Sequence, residues 1–86
     1  MIYLLHFDRP YHHARHYLGF VNGGKKALDK RVERHRAGNG AKLLRALIAA
    51  GIGFVVAKTW PEGDRSEERR LKKHKHAPRL CPLCCA

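Results

Sequence analysis

Met1-Ile2-Tyr3-Leu4-Leu5-His6-Phe7 and Arg15-His16-Tyr17-Leu18-Gly19-Phe20-Val21 are two apolar, strand-forming runs, and the stretch between them opens with Asp8-Arg9-Pro10. Turn-forming residues between two such runs predict a β-hairpin. If the antiparallel pairing is centred on Pro10, facing residue numbers sum to 20 and Tyr3 lies opposite Tyr17. Directly opposed residues have Cβ atoms about 4.5–5.5 Å apart. The two phenols are therefore expected at one spot on the sheet.

Outward from the hairpin, Asn22-Gly23-Gly24 tolerates positive φ and closes the second strand. From Lys25 the pattern becomes helical, with Ala27, Leu28 and Val32 on one side, and Ala37-Gly38 ends it. A second helix is expected from Ala41 to Ala50, with Leu43, Leu44, Leu47 and Ile48 as its buried stripe, stopped by Gly51-Ile52-Gly53. Phe54–Trp60 reads as a third strand, ended by Pro61. Asp64-Arg65-Ser66-Glu67 has the form of a capping box, so a helix follows from Arg65 to about Lys75, before Pro78. The order β-β-α-α-β-α predicts an α+β fold, a three-stranded antiparallel sheet flanked by helices.

At 86 residues the chain has room for one small core. Eighteen Lys and Arg against seven acidic residues give a formal charge of +11. A protein this basic gains affinity for polyanions by releasing condensed counterions, so nucleic acid, DNA first, is the expected partner. The longest uncharged apolar run, Ala46 to Ala57, contains two glycines and falls well short of the roughly 20 residues a membrane span needs. No membrane partner is expected. Cys81, Cys84 and Cys85 are odd in number and clustered at one end, a poor disulfide framework, so the reading is a reducing cytoplasm.

Several residues have side chains suited to phosphate chemistry. Arg31 and His35 are four apart on the first expected helix and share a face. A guanidinium matches a phosphate bidentately, and an imidazole accepts or relays a proton near neutral pH. Gly19 permits close approach of backbone or ligand within a strand. Glu68 and Glu67 both flank the face carrying Leu71, and helical geometry does not separate them. A single carboxylate suits Mg²⁺, which keeps several waters and takes substrate oxygens. For each there is a plainer role: Tyr3 and Tyr17 as a cross-strand packing pair, Arg31 and His35 within a solvated basic face, Glu68 as an i,i+4 partner of Lys72.

Ile2-Tyr3, Tyr17-Leu18-Gly19, Arg31-x3-His35 and Glu68-x2-Leu71-Lys72, in that order over roughly residues 1–80, resemble the active-site signature of the GIY-YIG nucleases. The chain lacks the first glycine of the signature, has a longer interval from Tyr17 to Arg31, and has no asparagine beyond Asn39. The resemblance implies a metal-dependent DNA endonuclease, with residues 1–80 as the nuclease domain and 81–86 as a cysteine-containing C-terminal tail. It implies Tyr3 and Tyr17 positioning or deprotonating the attacking water, with Arg31 clamping the scissile phosphate. It also implies His35 assisting proton transfer and Glu68, rather than Glu67, holding Mg²⁺ or Mn²⁺. Lys72, with Arg69, Arg70, Lys73 and Lys75, would grip flanking phosphates. The alternative is a non-catalytic nucleic-acid-binding domain on the same fold.

The tail offers a second metal reading. His74, His76, Cys81 and Cys84 supply ligand types that suit tetrahedral Zn²⁺, against the alternative of a small apolar tail packed on the sheet. A third functional reading follows from it, a zinc-stabilised adaptor. His12, His13 and His16 are expected as solvated hairpin-loop residues.

Overall fold

The computed structural model describes residues 1–12, 14–74 and 80–83. Its elements are β1 (Ile2–Tyr11), β2 (Ala14–Phe20), α1 (Lys25–Arg36), α2 (Lys42–Ala49), β3 (Phe54–Trp60) and α3 (Arg65–His74). The fold is α+β, with one three-stranded antiparallel sheet of order β2-β1-β3. No helix of the described residues is long and apolar enough to cross a membrane.

The hairpin register differs from the expected one. Tyr3 pairs with Gly19, and Tyr17 with Leu5, so facing numbers sum to 22. The cause is Asp8-Arg9-Pro10, which stays inside β1 instead of making the turn. Between the pairs His6↔His16 and Tyr11↔Ala14, residues 7–10 of β1 bulge against the single residue Arg15. A bulge is one of the few places where a sheet accepts proline. Side chains alternate with period two, so a shift of two residues leaves every side chain on its intended face. Tyr17 therefore stays on the face of Tyr3, one diagonal step away.

β1 is the central strand and is covered on both faces, which explains the unbroken apolar run Ile2-Tyr3-Leu4-Leu5, fully buried throughout. Its odd-numbered side chains Tyr3, Leu5 and Phe7 pack with Leu28 of α1, Leu44 and Leu47 of α2, Val21, Ile52 and Phe54. Its even-numbered Ile2 and Leu4 pack with Leu18 and Cys81 on the other face, joined by Leu71, Leu80, Phe20 and Trp60. β3 carries an extra residue between Lys58↔Leu4 and Val56↔Leu5, a bulge at Ala57. Arg36 fastens α1 to β3: its Nη2 donates to the Phe54 carbonyl at 3.1 Å, and its guanidinium stacks 4.7 Å from the Phe54 ring centroid.

α3 begins as the sequence implies at one end of its capping box, the Glu67 N–H donating to Asp64 Oδ1 at 2.8 Å. The Glu67 carboxylate instead meets Arg70 Nη2 at 3.4 Å. Glu67 is thus engaged at the helix start, and Glu68 is left for the face that looks onto β2.

Candidate active site

α1 ends in a Schellman turn: the Gly38 N–H donates to the His35 carbonyl at 3.1 Å and the Asn39 N–H to the Arg34 carbonyl at 2.9 Å. Gly38 adopts φ +80, the conformation this cap requires and glycine tolerates. The turn folds the chain back so that Gly40 lies directly on the His35 imidazole. A Cβ at that position would collide with Nδ1. His35, four residues after Arg31 and seven after buried Leu28, faces the sheet and is only 2% exposed.

There it meets the tyrosines. Tyr3 Oη and His35 Nε2 are 2.9 Å apart. The ring centroids of Tyr3 and Tyr17 are separated by 6.2 Å, and those of Tyr17 and His35 by 5.7 Å. Gly19 is the reason the phenols fit. A Cβ there would lie 2.5 Å from the Tyr3 hydroxyl and 2.9 Å from Cε1 of Tyr17. From the far side α3 packs along β2. Its Glu68 carboxylate lies 3.9 Å from Lys72 Nζ, and that ammonium sits 5.9 Å from the Tyr17 ring centroid.

An open cleft of about 350 Å³ fronts this group, lined by Tyr17, Arg31, Arg34, His35, Asn39, Gly40 and Ala41. The structure thus brings together Tyr3, Tyr17, Gly19, Arg31, His35, Glu68 and Lys72. Arg69 and Lys73 remain exposed on α3. The two tyrosines are unequal, since Tyr17 lines the cleft and Tyr3 is wholly buried behind it. Arg34 and Asn39 also line the cleft, although nothing in their sequence context marks them out. Arg34 follows Arg31 by one helical turn of α1, and Asn39 arrives there because the Schellman turn reverses the chain.

The electrostatics of the site keep its phenols protonated. Burial pushes the Tyr3 pKa well above the ordinary phenol value, and the neighbouring Tyr17 and Glu68 add to the rise while Arg31 opposes it. Tyr17 is raised by burial and then by the Glu68 carboxylate, again against Arg31. His35 is lowered by burial first and then by the Arg31 and Arg34 guanidinium groups, so the folded protein holds it neutral.

Among the described residues, His35 Nδ1 is the buried side-chain polar atom with no hydrogen-bond partner. Nδ1 therefore goes unmet in either neutral tautomer, at about 1–3 kcal/mol for a buried polar atom without a partner, while Nε2 and the Tyr3 hydroxyl share one hydrogen bond.

The lowered His35 pKa has a testable sign. Below about pH 6.5 the unfolded chain takes up a proton that the folded protein resists. Stability is full above that value and is lost as pH falls towards the folded pKa. His16, also lowered by burial and by His6 and Arg15, adds a contribution of the same sign. Melting temperature is therefore expected to drop between about pH 6.5 and pH 5, less steeply in His35→Gln. A variant whose pH dependence matched the unmodified protein would contradict this account.

The tail and the histidines depart from the sequence reading. His76 and Cys84 lie outside the described residues, as does the side chain of His74. His13 lies outside them too, and His12 is exposed at the turn. His16 is not a solvated loop residue. It sits half-buried on β2, its Nε2 3.3 Å from Nδ1 of its partner in the sheet, His6. Cys81 is fully buried, with Sγ 3.4 Å from the same Nδ1. The ligand atoms of His6, His16 and Cys81 all lie within 4.8 Å of one another, close enough to hold a metal ion.

Protein-family models, curated proteins and solved structures were all compared with the chain, and none matches it, so the reading of this site rests on its own residues and geometry.

Proposed function

We propose that the chain is a metal-dependent endonuclease of the GIY-YIG type, hydrolysing phosphodiester bonds in DNA. The observation that carries the reading is the convergence of Tyr3, Tyr17, Arg31, His35 and Glu68, from four separate elements, around one pair of phenols behind an open cleft. Packing needs alone do not bring two phenols, a guanidinium, a buried imidazole and a carboxylate to one place in so small a core.

Each residue has a task that its environment suits. Tyr17, at the cleft wall with its proton retained, donates a hydrogen bond that holds the attacking water or the phosphate. Tyr3 stands behind it, fixed by His35 Nε2. Arg31, half-buried and lining the cleft, meets the scissile phosphate and the charge that develops on its oxygens. Arg34 adds positive charge at the cleft, and Lys72 adds it beside Tyr17. Arg69 and Lys73, exposed on α3, lie where the phosphates of a bound duplex would continue, positioning it without reading bases.

The Glu68 side chain is mostly buried yet only loosely paired with Lys72, and one carboxylate with room for water suits Mg²⁺ or Mn²⁺. Such an ion would supply positive charge for the phosphate.

The test is cleavage of supercoiled plasmid and branched DNA in Mg²⁺ and in Mn²⁺, with a chelator control and with Arg31→Ala. Nicking that needs the metal and falls by about 10²–10³-fold in Arg31→Ala is the expected result, the loss typical of removing a transition-state charge donor. Tight, salt-dependent binding without scission of any substrate would replace the proposal with a non-catalytic nucleic-acid-binding domain.

A further inference from the structure

The hairpin presents a second group of chemically capable side chains on its other face. We propose that His6, His16 and Cys81 form a Zn²⁺ site that staples the chain's C-terminal segment to the back of the sheet. This site is separate from the tyrosine cleft and does not depend on the nuclease reading.

The distances have the scale that tetrahedral zinc imposes. With Zn–N near 2.0–2.1 Å and Zn–S near 2.3 Å, tetrahedral angles put two ligand nitrogens about 3.3 Å apart and a nitrogen and a sulfur about 3.5 Å apart. His6 Nδ1 and His16 Nε2 are 3.3 Å apart, and His6 Nδ1 and Cys81 Sγ are 3.4 Å apart. One cation bound between the three atoms would take a lone pair from each of them.

The setting also suits a structural site. Cys81 is buried against Ile2, Leu4 and Leu18, so its sulfur is held on the sheet by apolar packing. His6 and His16 are a directly opposed pair on adjacent strands. Two ligands thus come from a rigid hairpin and the third from a point 65 residues beyond His16, which closes nearly the whole domain into one loop. An 86-residue chain has a small core, and domains of this size commonly add a metal or a disulfide to it. His2Cys with water in the fourth position is a donor set that zinc accepts, and binding releases the thiol proton to solvent.

The experiment titrates the chelator-stripped full chain with Zn²⁺ and, for its spectrum, with Co²⁺. One equivalent is expected, with the intense visible bands of tetrahedral Co²⁺ and a thiolate-to-cobalt band in the near ultraviolet. Cys81→Ala should remove the thiolate band. Affinity should fall by at least about 100-fold in His6→Ala and in His16→Ala, since even losing an outer-shell partner costs about 10–100-fold. His76→Ala and Cys84→Ala should stay within a few-fold of the unmodified chain. Should a site variant fail to fold, the unmodified protein still decides. Zn²⁺ must raise its melting temperature after stripping, by mass action on the folded state. No tetrahedral spectrum, no rise in melting temperature, or losses in His76→Ala and Cys84→Ala in place of the His6 and His16 variants, would each overturn the site.

Discussion

Glu68→Gln is expected to lower metal-dependent cleavage by about 10³-fold or more while leaving DNA binding intact, the loss that follows from the proposed role of Glu68 as the carboxylate ligand. The substitution keeps shape and removes charge, so α3 and its packing on β2 should persist. Binding should hold or tighten, because the chain is already at +11 and gains one more net positive charge. A second readout does not depend on turnover. The Glu68 carboxylate is one of the causes that raise the pKa of Tyr17 and of Tyr3. Removing it should move the tyrosinate titration of Tyr17 downward. Unchanged cleavage together with an unchanged titration would mean that Glu68 is not beside the phenols and would sink the ligand assignment. Glu67→Gln is the matched comparison, since its carboxylate is taken up by Arg70, and activity there should change little.

Gly19→Ala should be a strongly damaging single-methyl change. The new Cβ would sit 2.5 Å from both Cζ and Oη of Tyr3, which is fully buried and has nowhere to retreat. Overpacking of this kind costs about 1–3 kcal/mol. In a domain of this size each kcal/mol shifts the melting temperature by about 4–8 °C, so a drop of roughly 4–24 °C is expected. Activity should fall further than stability explains, since the displaced group is the phenol pair itself. Gly24→Ser provides the contrast. No side chain or backbone approaches a Cβ there, and Gly24 is the N-cap of α1 with extended backbone. Serine is a better cap than glycine, so that variant should melt at the same temperature or slightly higher. Equal melting temperatures for Gly19→Ala and the unmodified protein would mean that the tyrosines are not packed as described.

Local chemistry made much of this fold legible. β3 begins at Phe54 and ends at Trp60 as its composition implies, because a glycine on one side and a proline on the other punctuate it. α1 ends where Ala37-Gly38 requires, and α3 begins where Asp64 caps it. The hairpin register was less legible, because Asp8-Arg9-Pro10 serves a bulge as well as a turn, and which one forms depends on neighbours far away. Asp8 and Arg9 are held by the Gly53 and Ala50 carbonyls, more than forty residues on.

The same distinction runs through the site. Tyr3, Tyr17, Arg31, His35 and Glu68 could be picked out by the order of motifs that resembles the GIY-YIG signature, since spacing alone left Glu68 and Glu67 equal. Asn39 and Gly40 could not, since their place depends on a helix cap turning the chain back over His35. Cys81 was visible as a ligand, but its partners were not. No local pattern joins a residue near the end of the chain to His6 and His16.

The alternation of side chains along β1 and β2 has a consequence for length variation in this chain. Tyr3, Tyr17 and Gly19 point to one side, and His6, His16 and Leu18 to the other, so the strands are read in steps of two. Insertion or deletion of one residue between Tyr3 and His6, or insertion of one between His16 and Tyr17, would put a histidine and a tyrosine on the same face of the sheet. Adding or removing two residues would restore the assignment of faces at the expense of a slipped register. Beyond the bulge, around Tyr11 and Ala14, the hairpin is free of this parity rule, and changes in length can accumulate there without touching either set of side chains.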